Sequence, residues 1–231
     1  MKYYHTGIVD LDRVLGGGLP ENAITLLCGR PGMGKTTIAA QLAVEIAKLG
    51  TRVLYVDLGL NEPVLAYFIS EAQKNGNVKK HLDYHGITFG AAGVGAVCEA
   101  VFNSNAEVVF IDYIQLVGGL DNGVLEFATK GLNDKTFVWL SQLPRSVDMR
   151  ERGLPVIEDT RGLVHFGGYA DKTIMLYRDQ LYSDSYDKSK DNEIKLFVFD
   201  GATYSGQAVL SWEPDVVREP FFRPFILEEE I

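Results

Sequence analysis

The run Ala23-Ile24-Thr25-Leu26-Leu27-Cys28-Gly29-Arg30-Pro31-Gly32-Met33-Gly34-Lys35-Thr36-Thr37 decides the reading of this chain. Ala23 to Cys28 reads as a buried strand, and Gly29 to Thr36 matches the pattern G-x-x-x-x-G-K-[ST] in full. In that pattern the glycines let backbone N–H groups surround phosphates, the lysine reaches the β- and γ-phosphates, and the hydroxyl ligates Mg²⁺. The mechanics need a helix next, whose amino terminus carries partial positive charge toward the anion. Lys35 to Leu49 supplies it, with apolar residues at Ile38, Leu42, Ile46 and Leu49 and a stop at Gly50. Gly29, Arg30, Pro31, Gly32, Met33, Gly34, Lys35, Thr36 and Thr37 are therefore the candidate nucleotide-binding residues, with ATP and Mg²⁺ as the expected cofactors.

Outward from this centre, apolar β-rich runs alternate with helical patterns, which predicts a doubly wound α/β fold around a mostly parallel sheet. Strands are expected over Thr51 to Leu58, Gly86 to Phe89, Ala106 to Asp112 and Thr136 to Leu143. Helices are expected from a cap at Asn61 through Ala72, with Pro63 in the first turn, and over Val94 to Phe102. The carboxyl end turns β-rich, with Lys172 to Tyr177, Glu193 to Phe199 and Gln207 to Trp212, and a polar hairpin loop from Ser183 to Asn192. One domain over 1–217 and a tail over 218–231 follow. The tail sets Pro220, Phe221, Phe222, Pro224 and Phe225 before three glutamates, which suits packing across its own domain or docking on a neighbour.

Composition narrows the function classes. The 231 residues, 46% hydrophobic, suffice for one sizeable core. No apolar run is long enough to cross a bilayer, and Met1-Lys2-Tyr3-Tyr4-His5 lacks the apolar segment of a secretion signal, so no membrane partner is expected. Two cysteines, Cys28 and Cys98, make no disulfide framework, and a reducing, cytoplasmic setting is the expectation. A net charge of −9 argues against binding nucleic acid by bulk attraction, though basic groups lining one surface would still serve.

Val108-Val109-Phe110-Ile111-Asp112 delivers a carboxylate to the carboxyl edge of the sheet, where open α/β sheets bind ligands. Asp112 is therefore the candidate metal carboxylate, acting with Thr36 on Mg²⁺, and Gln142 at the end of the next strand is the candidate γ-phosphate sensor. His81 and His85 stand four apart without a third ligand at fitting spacing, and read as surface histidines. Cys28 reads as core filling.

The same residues resemble a family. Asp112-Tyr113-Ile114-Gln115-Leu116 is similar to the D-Y-L-Q-L segment of DnaB-type replicative helicases, and Ser141-Gln142-Leu143-Pro144-Arg145 to their S-Q-L-N-R. Asp159-Thr160-Arg161, Ala170-Asp171 and Leu176-Tyr177-Arg178 resemble the family's D-L-R, A-D and L-Y-R run. The front end, Thr6-Gly7 with Leu11-Asp12-Arg13-Val14-Leu15-Gly16-Gly17-Gly18-Leu19, is similar to the RadA and KaiC branch. The resemblance implies a RecA-like core, ATP at subunit interfaces, a homo-oligomeric ring or filament, and a DNA motor in replication or recombination with single-stranded DNA as partner.

Two departures from the family's pattern bear on hydrolysis. RecA-like ATPases place a glutamate at the end of the second strand to position the attacking water, and Gly59 stands there in Tyr55-Val56-Asp57-Leu58-Gly59. Glu62 and Asp57 are the nearby carboxylates, Glu62 being the candidate catalytic substitute. The family's late-strand lysine and arginine, which enter the neighbour's site, have no counterpart in Phe197-Val198-Phe199-Asp200-Gly201-Ala202, leaving Arg178 and Arg161 as candidates in trans. Of the loops that grip DNA in RecA-like rings, Gly118 to Gly123 has no positive charge. In Pro144 to Gly162, Arg145, Arg150, Arg152 and Arg161 are matched by Asp148, Glu151, Glu158 and Asp159, so internal pairing and DNA contact both remain open. The competing functions are a nucleotide-gated assembly protein with degenerate hydrolysis and a RadA- or KaiC-like regulatory ATPase.

Overall fold

Parallel strand pairing around the phosphate-binding run organises the molecule. The computed structural model describes residues 2–59, 61–88, 93–117, 134–160, 170–182, 193–212 and 225–226. A short antiparallel pair, β1 (Tyr3–Tyr4) and β2 (Leu19–Pro20), brackets helix α1 (Val9–Leu15). The main elements that follow are β3 (Ile24–Gly29), α2 (Lys35–Lys48), β4 (Val53–Asp57), α3 (Glu62–Lys74), α4 (Gly76–His81) and β5 (Leu82–Gly86). The chain continues through α5 (Val94–Phe102), β6 (Val108–Asp112), β7 (Thr136–Gln142), β8 (Lys172–Tyr177), β9 (Glu193–Asp200), β10 (Thr203–Trp212) and β11 (Phe225–Ile226).

Strands β3 to β11 form one nine-stranded sheet in the order β11-β10-β9-β8-β3-β7-β6-β4-β5. From β8 to β5 the pairings are parallel, and from β8 to β11 they are antiparallel. This is the doubly wound α/β fold with a β-rich carboxyl end expected from the sequence. Side-chain alternation along each strand feeds two cores. Leu27, Tyr55, Phe110 and Leu140 face α2 and α3, whereas Leu26, Cys28, Val56, Ile111 and Trp139 face α5. The continuous apolar runs of β3, β4, β6 and β7 have this two-sided burial as their cause.

Several expectations shift. The strand expected over Gly86 to Phe89 lies instead at Leu82–Gly86, because the parallel register sets Val53 against Leu82 and Asp57 against Gly86. Gly76 opens a further short helix, α4, which was not expected, and Asn75 caps it by accepting from the Asn77 N–H at 2.9 Å. Asn61 stands at the N-cap of α3 without a side-chain capping bond. In the tail, Phe225–Ile226 pairs with Ser211–Trp212 of the same chain, so that segment lies on its own domain. The expected hairpin loop at 183–192 and the loop at 118–123 lie outside the described residues.

α1 docks on β9 and β10, and its closest approach sits at an irregularity. The β9–β10 register shifts between Tyr204 and Gly206, where Gly206 takes φ +144°. A Cβ there would meet Val14 Cγ1 at 3.2 Å. Gly206→Val should destabilise the fold by about 1–3 kcal/mol through strain and overpacking, read as a lower urea midpoint at unchanged m-value.

Candidate nucleotide site

The site is assembled where parallel strands end. Gly29 closes β3 and has Gln142, the last residue of β7, as its register partner. The cradle then turns through Gly32 (φ +78°) and Gly34 (φ +88°), conformations that side chains with a Cβ rarely adopt. A Cβ on Gly29 would meet the Leu176 Cβ at 3.1 Å, so that glycine also serves close packing against β8. Pro31 and Gly32 are exposed, and Gly34 to Thr37 are half-buried. The first bond reaching back along α2 is from the Ile38 N–H to the Gly34 carbonyl, at 2.9 Å. The N–H groups of Lys35, Thr36 and Thr37 ahead of it are the helix's orphan donors, and no side chain caps them. Such an amino terminus fits an anion.

Lys35 bends across the cradle and donates from Nζ to the Arg30 carbonyl at 3.1 Å. Burial lowers its pKa against the attraction of Asp112. Arg30 contributes its backbone to the cradle, while its side chain is committed elsewhere. The guanidinium donates to both oxygens of Asp148 (Nε at 2.8 and 2.9 Å) and to the Leu143 carbonyl at 2.7 Å. Met33 is buried and fills space beneath the loop.

Asp112 ends β6 with Asp57 as its register partner at the end of β4. The two carboxylates are 5% and 1% exposed, so each needs compensation. Tyr55 donates its hydroxyl to Asp112 Oδ2 at 2.8 Å. Burial pushes Asp112 up to about 6, offset by hydrogen bonding from Tyr55 and Thr36, while the like charge of Asp57 adds to the rise and Lys35 opposes it. A buried, partly uncompensated carboxylate beside the Thr36 hydroxyl and ahead of orphan N–H groups fits a phosphate-bound divalent cation. Thr36 and Asp112 are the residues that would hold it.

Asp57 is spent on its own loop. Its oxygens accept from the Gly59 N–H (2.9 Å), the Asn61 N–H (2.7 Å) and the Tyr84 hydroxyl (2.9 Å). Glu62 opens α3 just beyond that loop and is exposed. The structure thus separates the two carboxylates considered for water positioning: Asp57 is sequestered and Glu62 is free to reach outward. Gln142 is half-buried at the strand end, and its carbonyl accepts from Gln115 Nε2 at 3.1 Å, which also reaches Ser141 Oγ at 2.6 Å. Sequence reasoning missed Tyr55, Tyr84 and Gln115, whose partners lie on neighbouring strands.

Over its described part the loop after β7 pairs its charges partly within itself and partly with the cradle and the residues after β8. Arg150 grips Asp159 with two nitrogens, Arg152 lies 3.6 Å from Asp179, and Asp148 holds Arg30. The Tyr182 hydroxyl donates to Asp148 at 2.7 Å, and the Tyr177 hydroxyl to the Arg152 carbonyl at 2.6 Å. Arg145 is exposed, and Arg161 lies outside the described residues. Arg178 is half-buried at the end of β8, where burial lowers its pKa. His81 Nδ1 meets the Asn77 carbonyl at 2.9 Å, Cys28 is buried, and burial raises its thiol. No helix among the described residues is long and apolar enough to cross a membrane.

Fold and cradle together are those of a P-loop α/β domain with a RecA-like fold. A family model described as "ATPase: KaiC" matches residues 4–81. The replicative DNA helicase DnaB of Rickettsia bellii is 28% identical over 225 residues, covering 77% of this chain and 45% of the relative. A probable replicative DNA helicase of Trieres chinensis is 28% identical over 229 residues, covering 82% and 50%. The DNA repair protein RadA of Mycolicibacterium smegmatis is 49% identical over 55 residues, 24% of this chain and 12% of the relative. Among solved structures, a DnaB-like replicative helicase described with its interactions with primase superposes with a TM-score of 0.69 at 22% identity, covering 93% of this chain and 62% of that one. Within the RecA-like class the likeness over most of the chain is thus to the DnaB type, with the RadA likeness confined to a short stretch. The chain spans about half the length of the replicative helicases it matches.

The raised Asp112 has a measurable cost in the nucleotide- and metal-free protein. A carboxyl bound more tightly to its proton in the fold destabilises the fold where it must ionise. That penalty is absent below about pH 4, grows as pH rises, and is complete above about pH 6. Asp112→Asn should therefore stabilise the apo protein by on the order of 3 kcal/mol at pH 7.5 and by far less at pH 4, read in paired urea titrations.

Proposed function

We propose that this domain binds ATP with Mg²⁺ and works as a DnaB-type DNA motor in replication or recombination, as a homo-oligomer on single-stranded DNA. The observation that carries the reading is the convergence of the orphan α2 N–H groups, Lys35, Thr36 and a buried Asp112 at one sheet edge. Lys35 would hold the β- and γ-phosphates, Thr36 the metal directly and Asp112 the metal through water, with Gln142 beside the γ-phosphate. Mg²⁺ supplies charge neutralisation between the phosphates when bound. Glu62, the exposed carboxylate beyond the β4 loop, is the residue assigned to orient the attacking water.

A second reading, a nucleotide-gated assembly protein that binds ATP and turns it over slowly or not at all, has its own support. Asp57 is consumed by Gly59, Asn61 and Tyr84, and Lys195 of β9 is drawn to Asp179 at 2.5 Å. Steady-state ATP hydrolysis with and without single-stranded DNA separates the two. For the motor, turnover rises with DNA, vanishes in Lys35→Ala, and drops by about 100-fold in Glu62→Gln with ATP affinity retained. Tight ATP binding without turnover under either condition removes the motor and leaves the assembly protein.

A further inference from the structure

We propose that Tyr55 is a positioning residue for the metal carboxylate, its hydroxyl fixing the Asp112 carboxyl group in the orientation that meets the cation. The inference rests on the reading of Asp112 as the Mg²⁺ carboxylate, and assigns a role to a residue outside the cradle motif. Tyr55 lies in the middle of β4, fully buried, and its ring is packed in the apolar core against α2 and α3. Its ring stacks on Phe110 of β6 (centroids 5.8 Å apart, planes at 14°) and meets Phe68 of α3 edge-on at 5.1 Å. The ring is thereby held from two sides, and its hydroxyl is delivered to Asp112 Oδ2 at 2.8 Å.

A phenol hydroxyl in an apolar stack is costly unless bonded, and phenylalanine would fill the same space without that cost. What the hydroxyl adds is a bond across two strands to the one carboxylate that faces Thr36. The need for it is local. Asp57 ends the neighbouring strand in register with Asp112, and two buried carboxylates side by side repel. Asp57 is restrained by the Tyr84 hydroxyl and two backbone N–H groups. Asp112 receives its matching restraint from Tyr55. Groups that orient metal ligands are a recognised determinant of metal affinity.

The test measures ATP affinity by calorimetry with Mg²⁺ and again in EDTA, so that the gain from metal is read apart from binding itself. Tyr55→Phe is expected to keep the EDTA affinity and lose about tenfold of the Mg²⁺-dependent gain. Tyr84→Phe, which removes the analogous hydroxyl from Asp57, is expected to keep the gain. An unchanged gain in Tyr55→Phe, while Asp112→Asn abolishes it, overturns the positioning role alone. Parallel losses with and without Mg²⁺ in Tyr55→Phe also overturn it, since they mark a structural role. If Asp112→Asn itself keeps the full gain, the metal assignment and this inference fall together.

Discussion

Two carboxylates buried next to each other at the end of a parallel sheet set the terms for the rest of this molecule. Parallel pairing in register places Asp57 and Asp112 side by side, and parallel pairing again brings Gly29 level with Gln142. The same geometry that gathers ligand-binding groups at the carboxyl edge therefore concentrates negative charge there. Uncompensated, that charge would oppose folding, and the surrounding sequence answers it in two different ways. Asp57 is consumed by backbone N–H groups and Tyr84, which turns it into a structural brace for the loop leading to α3. Asp112 is left with less than full compensation, which fits the cation-holding role proposed for it.

The cradle is tied to the rest of the edge through Arg30. Its guanidinium reaches Asp148 and the Leu143 carbonyl, Tyr182 donates to the same carboxylate, and the Tyr182 ring stacks on Tyr177 at 5.8 Å. Gly153, with φ +58°, admits the Tyr182 ring where a Cβ would collide with it at 2.3 Å. The loop after β7 is consequently a packed extension of the cradle. Its described arginines Arg150 and Arg152 face carboxylates, which leaves Arg145 and the backbone as its means of meeting a polyanion. The exposed Met149, at 88%, stands on the same loop and offers apolar contact.

How much of this was legible in sequence follows from distance along the chain. The cradle is a contiguous run, and its strand and helix carry their own periodicities, so Ile24–Gly29 and Lys35–Lys48 fall within a residue or two of expectation. Asp112 and Gln142 were legible because each ends a strongly apolar strand. Tyr55 and Tyr84 were not, because a tyrosine in a β-run looks like core until cross-strand register shows what its hydroxyl meets. Strand β5 was misplaced for a related reason. It sits at a sheet edge with a largely exposed surface, so its residues carry little apolar signal and its position is fixed by pairing with β4 alone. Helix α4 escaped notice since a six-residue helix that begins at Gly76 is too short for a periodic pattern.

The end of β4 is where the sequence departs from the glutamate pattern of the ATPases it resembles, and a closed turn occupies that place. Gly59 stands where that pattern would put the glutamate, and its own N–H is bonded to Asp57. A glutamate restored there would emerge from a turn that Asp57 has already closed, with Asn61 drawn to the same carboxylate at 2.7 Å. The loop is thus shaped around Asp57, and the next carboxylate free to act is Glu62, at the first turn of α3. Val64, Tyr67 and Phe68 anchor α3 in the core, and Glu62 stands at its first turn. The seating of α3 rests in part on Phe68, whose ring meets Tyr55 edge-on. The ring whose hydroxyl holds the Asp112 carboxyl group thus also seats the helix that carries Glu62.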